Sequence, residues 1–214
     1  MRCGALLLLT LATGCAEMKA EMKQAPPAIP IAALAPGSAD GVRGSIEAMA
    51  PAFADRARGL AGRPAEAAQA AAQLEFATAA IPRDPRYAPI PEGVRRDLLL
   101  ARQELRDALG VAEDAPPERV VPALLAAASA LRAGDQARAA AALPAPTFLP
   151  GGARSVVRLG ELGPLPQAAI AASQAQQAVA RIDAEGRWLG GRPVDASGNT
   201  ITVFGLGGNT GVGY

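Results

Sequence analysis

Between Asp40 and Glu185, apolar residues return at the three- and four-residue intervals of a helix, and proline or glycine interrupts them at spacings suited to short connections. That pattern predicts an all-α fold, a helical bundle of αα-hairpins with six or seven helices over residues 40–186. Alanine fills 52 of the 214 positions, whereas aromatic residues make up 3%. A core of such small side chains needs helix axes near the lower end of the usual range of roughly 8–10 Å. With 50% hydrophobic and 19% charged residues, the chain is not disordered overall, collagen-like or built on disulfides.

The first helix is predicted over about 41 to 60, with Ile46, Met49, Phe53 and Leu60 at helical spacing, Pro51 as the point of kinking or division, and Gly62 as its end. Pro64 opens a second, to about residue 80, whose Ala67, Ala70, Ala71, Leu74 and Ala77 form a narrow face. Residues 81–89 read as a loop. A third helix, about 91 to 109, aligns Val94, Leu98, Ala101, Leu105 and Leu109, with Gly110 as its stop. Val120, Val121, Leu124, Leu125, Ala128 and Leu131 mark a fourth helix ending at Gly134, and Asp135 can cap a fifth running to Leu143. A short helix is expected over 150–162. A longer one over 166–185 carries Ile170, Ala171, Gln174, Ala178 and Ile182 along it and is stopped by Gly186. Gly134-Asp135 followed by Ala139 resembles the turn that opens the first helix of a tetratricopeptide repeat. The bulky positions of that repeat are alanine or missing here and no second copy follows at the expected period, so the pair reads as an αα-hairpin.

After Gly186 the character changes. Trp188-Leu189, Val194 to Asn199 and Thr200 to Phe204 predict a small C-terminal β-hairpin with a glycine-rich tail over 187–214. Two strands alone are marginal in water, so the hairpin must pack on the helices, find a partner or stay mobile. Trp188 is its natural packing anchor. The run Gly205 to Gly213 has Thr210 where the third glycine of a phosphate loop would stand, and no helix follows, so it is not read as one.

At the other end, Arg2 precedes an apolar run from Ala5 to Leu11 that closes on small residues before Cys15. This is a secretory signal pattern, too short to span a hydrocarbon core that needs about 20 apolar residues. Leu11-Ala12-Thr13-Gly14-Cys15 resembles the lipobox of bacterial lipoproteins, with Ala12 where that pattern usually has leucine. The resemblance implies cleavage between Gly14 and Cys15, removal of residues 1–14 and acylation of Cys15. With Ala16 next, it further implies attachment to the outer membrane on its periplasmic face. Ordinary cleavage, giving a soluble periplasmic or secreted chain, is the alternative. Residues 15–39, with Pro26, Pro27, Pro30 and Pro36, read as a lipidated start and a Pro-rich tether.

Chemistry is bounded by what is missing. The chain has no histidine. If Cys3 leaves with the signal and Cys15 is acylated, no free thiol remains, so imidazole and thiol catalysis and thiolate metal sites are not expected. Removing Arg2 leaves 20 basic against 20 acidic residues, a neutral balance that gives no reason to expect nucleic acid as a partner. Glu92, Asp97, Glu104 and Asp107 lie among Arg95, Arg96, Arg102 and Arg106, with Glu92 and Arg96 spaced i,i+4, and read as a solvated, salt-bridged helix face. The best candidate binding feature is Arg83-Asp84-Pro85-Arg86-Tyr87, two guanidinium groups beside a tyrosine, able to take a carboxylate or phosphate. Its alternative is local: Tyr87 packed on the helices and Asp84 capping or pairing nearby. Trp188 is a further candidate contact. No catalytic residue, cofactor or metal is assigned. The expected role is a lipid-anchored, non-catalytic module that binds another envelope protein. The rivals are an envelope enzyme using Asp/Glu acid-base chemistry and an architectural protein donating its C-terminal strand.

Overall fold

Pro64 begins the helix around which the others assemble, at the position where its missing N–H is no loss. The computed structural model describes residues 29–188. They form α1 (Ile31–Leu34), α2 (Gly41–Phe53), α3 (Pro64–Ala80), α4 (Glu92–Leu109), α5 (Pro117–Arg132), α6 (Gln136–Ala141), α7 (Ala153–Gly160) and α8 (Pro166–Glu185), with short 3-10 turns between several of them. The all-α expectation holds. The secretory segment with Gly14 and Cys15, and the tail from Leu189 onward, lie outside the described residues.

α3 is buried on nearly every side. Besides the expected face, Ala65, Ala68, Ala72 and Ala79 are buried, together with Gln73, Glu75 and Thr78. Its neighbours α2, α4, α5 and α7 surround it, while α8 packs across α2 and α4. Small side chains let several helices approach one axis at once, which a single stripe of leucines would not allow. α5 and α6 form the predicted αα-hairpin: Gly134 takes the left-handed conformation at φ 74°, and the carboxylate of Asp135 accepts from the Arg138 amide at 2.8 Å.

Four expectations are corrected. The first helix does not reach residue 60: it continues past Pro51 to Phe53, and the break comes at Asp55, Arg56 and Ala57, all with positive φ. This left-handed turn keeps both Phe53 and Ala57 in the core and is tied down where the Leu165 amide donates to the Arg56 carbonyl at 3.0 Å. The tether does not extend to residue 39. Ile29 packs on the core, Leu34 is fully buried, and the Gln73 side chain donates to the Leu34 carbonyl at 2.9 Å. The turn over 35–38 presses so closely on α2 that a Cβ at Gly44 would lie 2.5 Å from that of Ser38. On α8 the inward face is Ala168, Ala171, Ala172, Ala175, Ala178, Val179 and Ile182, with Gln174 and Ile170 exposed.

Finally, the α4 face is not wholly solvated. Glu92 pairs with Arg95 rather than Arg96. The Glu104 carboxylate caps α8, accepting from the amides of Gln167 and Ala168 at 3.2 and 2.9 Å. Arg106 turns inward and forks onto Glu75, both residues buried, while also donating to the carbonyls of Glu113 and Ala115 at 3.0 Å. A buried charge stripped of its partner costs about 3–5 kcal/mol, far more than an exposed ion pair contributes. Glu75→Ala should therefore lower unfolding stability by about that amount in urea titrations; a loss under ~1 kcal/mol would contradict the arrangement. Conversely, Arg56→Gly relieves a left-handed position and should raise stability by about 0.5–1 kcal/mol, measured the same way.

Candidate functional site

Asp84 stands ahead of the one-turn 3-10 helix Pro85–Tyr87, where Pro85 presets the backbone and the Asp84 carboxylate accepts from the Arg86 amide at 2.9 Å. The same carboxylate takes the Arg86 guanidinium through Nε at 2.9 Å and Nη2 at 2.7 Å. Arg86, first through its side chain and then through its amide, holds the Asp84 carboxyl below its ordinary range.

That turn swings Tyr87 into the body, where it is 3% exposed. Its hydroxyl donates to Asp40 Oδ1 at 2.6 Å, the oxygen that also accepts from the Val42 and Arg43 amides at 3.0 and 3.1 Å and so caps α2. Trp188 meets Tyr87 edge to face, with ring centroids 6.0 Å apart at 84°. The indole N–H donates to Asp183 Oδ1 at 2.6 Å, and Asp183 Oδ2 accepts from Arg43 at 2.6 Å. The Arg43 guanidinium lies 5.4 Å from the centre of the Trp188 ring. Three segments distant in sequence are thus joined: the start of α2, the turn before α4 and the end of α8.

Of the four candidate binding residues, the fold brings Arg86, Tyr87 and Trp188 together and sends Arg83 elsewhere. Arg83 reaches Glu118 at the start of α5, at 2.6 Å. The Glu118 carboxyl is held low by its own backbone amide first and by Arg83 after that. The local alternative describes this loop: Tyr87 packs on the helices, and Asp84 both caps and pairs. Trp188 anchors onto Tyr87 and Arg43, whereas the hairpin it was expected to serve lies outside the described residues. Sequence reasoning missed Asp40, Arg43 and Asp183. Asp40 before Gly41 carried a legible capping signal, but Arg43 and Asp183 are 140 positions apart and no spacing links them.

Asp40, Arg43, Gly44 and Glu47 also line, with the turn from Ala35 to Ala39, an open groove of about 710 Å³. A second cavity, about 570 Å³, lies at the end of α4 and is lined by Asp107, Gly110, Leu149, Pro150, Arg154 and Arg158. The buried Glu75 lines neither. Among the described residues, no cluster of three or more Cys, Asp or Glu could hold a metal ion, and no helix is long and apolar enough to cross a membrane.

Burial, then the bond to Asp40 and its negative charge, push the Tyr87 hydroxyl well above the ordinary tyrosine value. The native state therefore keeps this proton where the unfolded chain, titrating near pH 10, releases it. The stabilisation is complete below about pH 10 and declines as pH rises beyond it. Tyr87→Phe should cost about 1–2 kcal/mol at neutral pH and should flatten the fall in stability between about pH 10 and 11, followed by urea titration at each pH. An alkaline fall of unchanged size in the variant would contradict the assignment. No family model, curated protein or solved structure matches the chain.

Proposed function

We propose that this chain is a lipid-anchored, non-catalytic helical module of a bacterial envelope, held to the periplasmic face of the outer membrane through Cys15, and that it binds another envelope protein in the groove beside Arg43. The observation that carries the binding reading is the groove itself. Two of its lining residues, Asp40 and Arg43, are held by the hydrogen bonds to Tyr87 and Asp183 and by the Trp188 ring. A surface whose side chains are already oriented loses less entropy when a partner arrives. The anchor reading is supported by Leu11 to Cys15, and it leaves a limited chain between Cys15 and Ile29. Those 13 intervening residues cannot reach beyond about 50 Å even fully stretched, so the helices would stay close to the bilayer.

Two measurements test the two halves. Labelled palmitate should enter the wild-type chain and not Cys15→Ser; equal incorporation in both would end the anchor reading. A photo-crosslinking side chain placed at Glu47, which lines the groove, should trap one envelope protein in intact cells, and the same probe at Gln103 on α4 should not. Identical adducts from both positions, or none from Glu47, would remove the groove as the binding surface.

A further inference from the structure

We propose that the outward face of α7, together with Leu149, is a docking surface for the phosphate headgroups of an anionic bilayer. α7 turns Ser155, Val156 and Leu159 into the body. Arg154, Val157 and Arg158, spaced i, i+3 and i+4, therefore share the opposite face. Val157 is 54% exposed, and Leu149, which lines the cavity at the end of α4 with Arg154 and Arg158, is 65% exposed. Single exposed apolar residues are ordinary, but these two stand with two guanidinium groups that have no carboxylate within ion-pairing distance among the described residues.

Neither nearby carboxylate pairs with them among the described residues: Asp107, which lines the same cavity, accepts from the Gln103 side chain on its own helix at 2.9 Å, and Glu161 caps the end of α7 outside any ion pair, while Arg106 is taken up by Glu75. Arg154 is steadied by donating from Nε to the Pro150 carbonyl at 2.9 Å, which leaves its terminal nitrogens for an outside acceptor. Planar guanidinium groups flanked by aliphatic side chains match the boundary of a bilayer, where phosphates lie directly above acyl chains. A soluble acidic peptide would satisfy the arginines and leave Leu149 and Val157 in water. The choice of a bilayer rests on the anchor reading, and the surface adds to it an orientation: α7 against the membrane.

The test uses the Cys15→Ser chain from residue 15 to 214, so that acylation contributes nothing, in sedimentation with vesicles of phosphatidylglycerol and phosphatidylethanolamine. Binding is expected to these and not to phosphatidylcholine vesicles, and to weaken as salt rises from about 50 to 500 mM. Arg154→Gln with Arg158→Gln should weaken it by about 25-fold, roughly five-fold for each arginine. Leu149→Ser with Val157→Ser should weaken it too, and the exposed control Arg119→Gln should leave it unchanged. No binding, equal binding to phosphatidylcholine, or insensitivity to the paired arginine changes would overturn the proposal. So would full competition by millimolar inorganic phosphate or by an acidic peptide, which would make this a soluble anion site. Because the protein here is unacylated, these outcomes are independent of whether palmitate labels Cys15. Salt-sensitive binding by the unsubstituted chain keeps the proposal testable even if a variant folds poorly.

Discussion

Close approach of helices around α3 is the constraint on which the rest of the structure depends. A helix touched on nearly every side must present little bulk on any of them, and Ala65, Ala67, Ala68, Ala70, Ala71, Ala72, Ala77 and Ala79 meet that requirement. Tight packing also leaves little room for water, so the single acid placed there, Glu75, needs a partner with fixed geometry. Arg106 supplies it and spends its remaining donors on the carbonyls of the segment after Gly110. The geometry of the enclosed ion pair is thus set by the tight packing that the small side chains allow.

Helix positions were legible because local rules govern them. Pro64, Pro166, Gly110, Gly134 and Gly186 mark ends that the structure keeps, since a missing amide or a left-handed turn has the same cost in any tertiary setting. What could not be read is decided across space. The interruption at Asp55 to Ala57 puts Arg56 and Ala57, which normally avoid positive φ, after an aspartate that tolerates it, and the docking of Phe53, Ala57 and Leu165 accounts for it. Burial of Arg106 among its solvated neighbours depends on Glu75, 31 positions away. The pairing of Arg83 with Glu118 and of Arg43 with Asp183 is equally non-local. Of the candidate site, Asp84 as a capping acid and Tyr87 as an inward side chain were readable as the local alternative, but the meeting of Tyr87 with Trp188 was not.

Arginine does three different jobs here, and its environment selects among them. Enclosed, Arg106 neutralises an acid and gathers carbonyls. Half-exposed, Arg43 lies between a carboxylate and an indole face, a position that uses its planarity. Outward, Arg154 and Arg158 present donors to solvent. Lysine, with a compact ammonium and no flat face, could fill the last role more readily than the first two. The described residues contain no lysine at all.

Trp188 has a practical consequence. It is the chain's single tryptophan, and it sits half-buried where α2, the Tyr87 turn and the end of α8 converge. Its emission colour and its quenching by neighbouring groups therefore report on one seam and nothing else. The protein carries an intrinsic optical gauge of whether that seam is shut, readable without any label.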